Sequence, residues 1–233
     1  MARRRFFTDS LNGGTTRLEG AAADHLSRVL RAQPGQEYEL AIQGELYLGR
    51  VTRVSPRTVE FTILVQLAEA RPEAPLELAA ALFKFDRWEW MLEKATELGV
   101  TRIWPLTTRR SDPHLAAAAG KRAARWRQIV RQASEQSRRA TEPGIASAQD
   151  LEAALAQPFH GARICLSESP ADAPAFAASP PMRLLLGPEG GWAPEESSAV
   201  LAAGYAPASL GGQILRCETA ALAALARAAA PSR

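Results

Sequence analysis

The chain has 233 residues, 46% of them apolar and 23% charged, with a formal net charge of +3. That is enough apolar material for one large core or two small ones, and length alone does not choose between them. Two cysteines, with no CxxC, and three scattered histidines argue against a zinc centre or a disulfide framework. No stretch approaches ~18 uninterrupted apolar residues, so no membrane span is expected. "MARRRFF" lacks the apolar run of a secretion signal, and a cytoplasmic protein is the simplest expectation.

The first seventy residues read as short β-rich runs, "TTRLEG", "EYELAI", "LYLGRVTRV" and "TVEFTILVQL", punctuated by Gly13-Gly14, Pro34-Gly35, Gly44 and Ser55-Pro56. One helix interrupts them, "AADHLSRVLRA", with Leu26, Val29 and Leu30 forming an i, i+3, i+4 stripe. This pattern predicts a small β-barrel carrying a helix, over residues 1–70. "EARPEAP" ends it, with a linker placed at 71–75.

Over 76–233 the pattern becomes strand–helix alternation. "LELAAALF" reads as an apolar strand. "DRWEWMLEKATELG" reads as a helix capped by Asp86, with Glu89 three residues later and Gly99 at its end. There follow strand "VTRIWPL", a long basic helix at 115–139, helix "AQDLEAALAQ", strand "ARICLSE", strand "MRLLLG", a helix at 194–203 with Pro194 near its start, strand "APASLG", and an alanine-rich helix from about Glu218. Near-continuously apolar strands alternating with helices predict an α/β fold with a parallel sheet covered on both faces.

Charge is uneven. Between Arg102 and Arg139 stand ten Lys/Arg against Asp112 and Glu135. A basic stretch on a near-neutral chain suits a polyanion such as nucleic acid, although a solvated arginine-rich helix would look the same.

Ligands of open α/β sheets bind at the carboxyl ends of strands. Three such ends stand out: Leu166-Ser167-Glu168, Gly187-Pro188-Glu189-Gly190-Gly191, and Leu210-Gly211-Gly212. Two are glycine-rich, which lets a ligand approach the backbone. Neither GxGxxG nor GxxxxGK[ST] occurs, which argues against a classical NAD fold and against a P-loop NTPase. "LGGQILRCETAALAAL" places Arg216 and Glu218 at the entry to the last helix. Glu218 and Thr219 suit a helix N-terminus; alternatively Arg216 and Glu218 face a reacting group, with Glu189 opposite.

Taken together, "LLLGPEGGW", "SLGGQILRCETAALAAL", "RRRFF", "HLSRVLRAQPG" (25–35), "KFDRWEWMLEKATELGVTRIWPL" (84–106), "RRS" (109–111) and "RWRQIVRQASEQSRR" (125–139) resemble, in order along essentially the whole chain, the RsmE-type 16S rRNA (uridine-N3) methyltransferases of the SPOUT superfamily. The resemblance implies a PUA-like, RNA-binding N-terminal β-barrel domain and a C-terminal domain tied in a deep trefoil knot. It implies a homodimer formed through that domain, S-adenosyl-L-methionine as cofactor, and N3 methylation of a uridine in 16S rRNA of the small ribosomal subunit. Carried onto this chain, the cofactor pocket comprises Leu166, Leu186, Gly187, Gly190, Gly191, Leu210, Gly211, Leu215, Thr219 and Ala220, with the leucines walling the adenine. One departure is that Asp86 and Arg87 follow Lys84 where the family often has a further lysine, which shifts one basic RNA contact.

Uracil N3 is a poor nucleophile until it loses its proton, so the site needs a base or a cation that stabilises the anion. Arg216 suits stabilisation of charge on a uracil carbonyl. Glu218 or Glu189 suits proton acceptance or orientation of that arginine. Phosphate contacts are expected from Arg4, Arg5, His25, Arg28, Arg31, Arg109, Arg110 and Arg138, and the target base must leave its stack to enter a closed pocket. Trp192 is expected to pack on protein. The competing readings are a non-catalytic RNA-binding or ribosome-assembly factor, and a SPOUT methyltransferase acting on another RNA. A Cys- or Ser-based hydrolase lacks the motifs it would need.

Overall fold

The computed structural model describes residues 4–67, 74–167, 173–177 and 179–229. The strand-end residue Glu168 and most of the expected linker lie outside the described residues. The chain forms two compact units, Met1–Pro72 with Ser134–Glu142, and Glu73–Ala133 with Pro143–Arg233.

The first unit is a curled five-stranded sheet. Strands β1 (Arg5–Thr8), β2 (Thr15–Glu19), β3 (Glu37–Ile42), β4 (Glu45–Val54) and β5 (Thr58–Gln66) run in the order β1-β3-β4-β5-β2. Only β1 and β3 are parallel neighbours. The curl brings the two edge strands together, and the Thr16 hydroxyl donates to Thr8 Oγ1 at 2.9 Å. The β3–β4 hairpin turns on Gln43 (φ 51°) and Gly44 (φ 88°), both left-handed, as a tight two-residue turn between twisted strands requires. Leu18, Leu40, Val59 and Phe61 point inward and are fully buried.

The helix predicted between β2 and β3 forms differently from its periodicity. A short α1 (Gly20–Asp24) passes into a wider π-helical turn over His25–Val29. A π turn carries more residues per revolution than an α turn, so the apolar stripe loses register. Leu26 stays buried, Leu30 packs beside the core, and Val29 turns outward with 65% of its surface exposed.

Glu39 of β3 is the charged centre of this unit. The Arg5 guanidinium donates to its Oε2 through Nε (3.1 Å) and Nη2 (2.7 Å), and Arg138 donates to its other oxygen. Arg5 also donates to the Arg138 carbonyl. Residues 134–142 are thereby held within the first unit. Burial pushes the Glu39 carboxyl up, but the hydrogen bonds from Arg138 and Arg5 outweigh it and hold it below the usual carboxylate range.

In the second unit, β6 (Leu76–Ala81), β7 (Arg102–Thr107), β8 (Gly144–Ile145), β10 (Ala162–Leu166), β11 (Met182–Leu186) and β12 (Ala206–Ala208) form a parallel sheet in the order β12-β10-β11-β6-β7-β8, with β9 (Gln149–Asp150) also paired to β7. Its helices are α2 (Phe85–Glu97), α3 (Pro113–Gln136, whose last turn belongs to the first unit), α4 (Leu151–Leu155), α5 (Pro194–Ala202) and α6 (Cys217–Ala229). Strand alternation divides the core in two. Leu78, Ala80, Leu184, Leu186 and Leu166 pack on the face bearing Trp88, Met91, Trp126 and Leu225. Ala79, Leu185 and Cys165 pack on the other face with Leu151, Val200 and Tyr205. The predicted two-sided burial is present.

Two local expectations are corrected. Helix α2 begins at Phe85 with Lys84 before it and no side-chain cap; Asp86 lies inside its first turn. Helix α4 is a single short turn, capped by Asp150 Oδ1, which accepts from Ala153 N at 2.7 Å.

At the amino ends of the strands, Glu77 Oε2 accepts from Arg183 Nε (2.6 Å) and Trp104 Nε1 (2.9 Å), all buried. At the opposite ends, the chain leaves edge strand β12 and returns to lay α6 against α2 and β11. The trefoil knot implied by the family resemblance requires such a return. Among the described residues, no helix is long and apolar enough to cross a membrane.

Removing one partner of a buried ion pair leaves the other charge desolvated, at about 3 kcal/mol or more. Glu39→Gln is therefore expected to lose about 3 kcal/mol in denaturant unfolding at pH 7. Because Glu39 is held below its ordinary 4.5, its contribution is complete above that pH and fades as pH falls through the lowered value. The difference between variant and parent should shrink on acidification.

Candidate active site

The loop after β11 is shaped by what Gly187 touches. A Cβ on Gly187 would lie 2.9 Å from the Trp192 indole, so glycine is needed for Trp192 to fold back over it. Trp192 packs on the α4–α5 face of the core, as expected. Burial pushes the neighbouring Cys165 thiol up to about 11. Gly191 takes φ 69° and donates to the Pro188 carbonyl at 2.8 Å, closing a tight turn.

The same loop is fastened to the segment after β7. Buried Glu196, in the first turn of α5, accepts from Ala193 N at 2.9 Å and from Arg109 N at 2.8 Å. The Arg110 guanidinium donates to the Gly190 carbonyl at 2.7 Å. The carboxyl ends of β7 and β11 are thus joined by backbone-directed, charge-assisted hydrogen bonds.

The second glycine-rich loop follows β12. Ser209 Oγ accepts from Gly211 N (3.3 Å) and donates to the Gly211 carbonyl (3.2 Å). Leu210 and Leu215 pack beside a core cluster that contains the buried Leu166 and Leu186, so the four leucines named as adenine walls share one apolar cluster. The loop delivers Cys217 to the start of α6, where its Sγ lies 3.6 Å from the Gly187 carbonyl. Ala220 is buried one turn further on, and Thr219 faces solvent.

Where these segments meet α2, a cleft of about 350 Å³ is lined by Asp86, Arg87, Trp90, Arg216, Glu218 and Thr219. Arg87 stands between two acids. Its Nη1 is 3.7 Å from Glu189 Oε1 and its Nε is 3.8 Å from Glu218 Oε1. The other Glu218 oxygen is buried without a hydrogen-bond partner. Glu218 is only 7% exposed, so an unpartnered carboxylate oxygen there is costly. Arg216 is exposed and makes no ion pair among the described residues. Trp90 keeps 48% of its surface exposed on the rim.

The three acidic and basic residues read from the sequence therefore converge: Glu218 and Arg216 line one cleft, and Glu189 approaches it through Arg87. Sequence reasoning missed Asp86, Arg87 and Trp90. The available signal was the strand-end rule itself, because α2 opens just after the carboxyl end of β6.

The expected phosphate contacts divide into two groups. In the first unit, Arg4, His25, Arg28 and Arg31 are exposed, with Arg28 paired to Asp24 at 2.7 Å. Arg5 is buried on Glu39, and Arg138 is tied to the same carboxylate. In the second unit, Arg109 is exposed and 3.9 Å from Glu195, while Arg110 is bound to the glycine loop.

The close approach at Gly187 gives a prediction. Gly187→Ala must displace the indole, and overpacking of this kind costs about 1–3 kcal/mol. A loss of about 2 kcal/mol in denaturant unfolding is expected, accompanied by a change in Trp192 fluorescence that Gly190→Ala does not cause.

Residues 70–229 match the family described as RNA methyltransferase domain. A ribosomal RNA small subunit methyltransferase E from Synechocystis is 33% identical over 225 residues, covering 91% of this chain and 72% of the relative. One from Mycobacterium bovis is 30% identical, covering 94% and 88%. A solved Neisseria gonorrhoeae ribosomal RNA small subunit methyltransferase E, bound to S-adenosyl methionine, superposes with a TM-score of 0.85 at 31% identity over 97% of this chain and 96% of that one. The resemblance read from the motifs is borne out, and the chain belongs to the RNA methyltransferase domain family, among its ribosomal RNA small subunit methyltransferase E members.

Proposed function

We propose that the protein uses S-adenosylmethionine to methylate N3 of one uridine in 16S rRNA of the small ribosomal subunit. The observation that carries this reading is the buried Glu218 carboxylate beside Arg216, an arginine with no ion pair among the described residues, in a cleft formed at the starts of α2 and α6. The solved relative's S-adenosyl methionine complex supports the choice of cofactor.

The residues present fit that cofactor. The backbone of Gly187, Gly190, Gly191 and Gly211 is bare of side chains, and the cluster of Leu166, Leu186, Leu210 and Leu215 offers an apolar wall for an adenine. Thr219 and Ala220, at the start of α6, complete the shell. Bound there, S-adenosylmethionine supplies a sulfonium methyl that an in-line nucleophile can take without metal or covalent intermediate. The chain's own work is to prepare and hold that nucleophile. Glu218, whose carboxylate lines the cleft, receives the uracil N3 proton. Arg216, exposed and unpaired among the described residues, stabilises negative charge on a uracil carbonyl. Glu189 acts at one remove, through Arg87. Trp90 offers an indole face for an unstacked base.

Residues 1–70 serve as a PUA-like RNA-binding domain, with 71–75 linking it to the methyltransferase domain over 76–233. Exposed Arg4, His25, Arg28 and Arg31, with Arg109 from the larger unit, supply phosphate contacts. Arg5 and Arg138 instead serve the fold through Glu39. The protein works as a cytoplasmic homodimer joined through the larger domain.

The test is methylation of small subunits from cells lacking this protein, followed by mass mapping of the modified nucleotide. One N3-methyluridine in 16S rRNA is expected. Methyl on another base or another RNA would overturn the assignment, and no methyl transfer with intact RNA binding would favour an assembly factor. Glu218→Gln is expected to slow transfer by roughly 10²–10⁴-fold and Arg216→Ala by roughly 10²–10³-fold, both with S-adenosylmethionine affinity nearly unchanged by calorimetry.

A further inference from the structure

Two carboxylates from distant parts of the chain approach one guanidinium in the cleft. Glu189 comes from the loop after β11, Glu218 from the first turn of α6, and Arg87 from the first turn of α2. Unscreened, the two acids would repel and push the loop away from the helix start. Both contacts, at 3.7 and 3.8 Å, are longer than hydrogen bonds, so Arg87 holds the two acids near each other by charge. Its helix is rigid where it matters: neighbouring Trp88 is fully buried against Phe83 and Trp126, with Met91 and Leu92 beneath. Arg216, in contrast, has no ion pair among the described residues.

We propose that Arg87 is a positioning residue of the methyl-transfer site, whose guanidinium bridges Glu189 and Glu218 and keeps the glycine-rich loop and the start of α6 in the arrangement that presents Glu218 to the acceptor base. The two arginines of the cleft then divide the work: Arg216 meets substrate and Arg87 meets protein. The proposal rests on the proton-acceptor role given above to Glu218. It also gives Glu189 a role, as the second anchor of the bridge.

The test compares Arg87→Gln, Arg87→Lys, Glu189→Gln and the double variant Arg87→Gln/Glu189→Gln. Total methyl incorporation into small subunits is counted whichever base receives it, alongside denaturant unfolding and S-adenosylmethionine calorimetry. Arg87→Gln is expected to lower kcat by about 10–100-fold, as loss of a supporting partner does, leaving the KM for RNA and its salt dependence unchanged. Arg87→Lys, which keeps the charge, should recover at least a third of the loss on a logarithmic scale. The double variant should lose less than the sum of the single losses, in both kcat and unfolding, since the two side chains act as one unit.

Additive losses in the double variant would overturn the proposal. So would a defect confined to the KM for RNA with a shallower salt slope, which marks a phosphate contact. Lysine no better than glutamine would also overturn it. A wrong methylated base would sink the functional assignment while leaving this comparison readable. Absence of S-adenosylmethionine binding by the parent would do the same, because the coupling between Arg87 and Glu189 is read independently in unfolding.

Discussion

The site depends on one constraint of chain path: after edge strand β12, the chain must come back to the centre of the sheet. That return sets α6 against α2 and β11, and it brings Cys217 to the Gly187 carbonyl. Without it, Glu218 would be an ordinary acid in the first turn of a helix. With it, the starts of α2 and α6 share one cleft, and Glu218 is buried beside it. Gly187 belongs to the same constraint, because a side chain there would meet Trp192.

The charges at the two ends of the parallel sheet behave differently. At the amino ends, Glu77 is closed on itself: Arg183 and Trp104 donate to it at hydrogen-bond distance, and the Arg183 guanidinium lies over the rings of Phe159 and Trp104. Such a network stabilises a single arrangement and offers nothing to a ligand. At the carboxyl ends, Arg87 lies farther from its acids, Glu218 keeps an unpartnered oxygen, and Arg216 is exposed. A buried polar group left incomplete in this way costs stability.

Much of this was legible in the sequence where the signal is local. Near-continuous apolar strands announced a sheet buried on both faces, and the structure divides their alternate residues between two core clusters. Glycines at two strand ends and the "ILRCETA" segment point to Arg216 and Glu218 from the sequence alone. Non-local features were hidden. Arg5 and Arg138 read as phosphate contacts because nothing near either one in sequence shows that Glu39 lies between them. The π turn at His25–Val29 broke a periodicity that was correct for an α-helix, and Val29 turned outward. Asp86 looked like a cap because its position relative to Glu89 fits a capping box, yet the helix starts one residue earlier and Asp86 lines the cleft. Arg87 was passed over as a displaced RNA contact because its two acidic partners lie more than a hundred residues away.

The central claim is that the two glycine-rich strand ends and the cleft at α2 and α6 form one continuous methyl-transfer site. A crystal structure with S-adenosylmethionine bound tests it most directly. The account predicts the adenine against Leu166, Leu186, Leu210 and Leu215, and the methyl directed into the cleft between Arg216 and Glu218. A cofactor held elsewhere, or one whose methyl points away from Glu218, would contradict it.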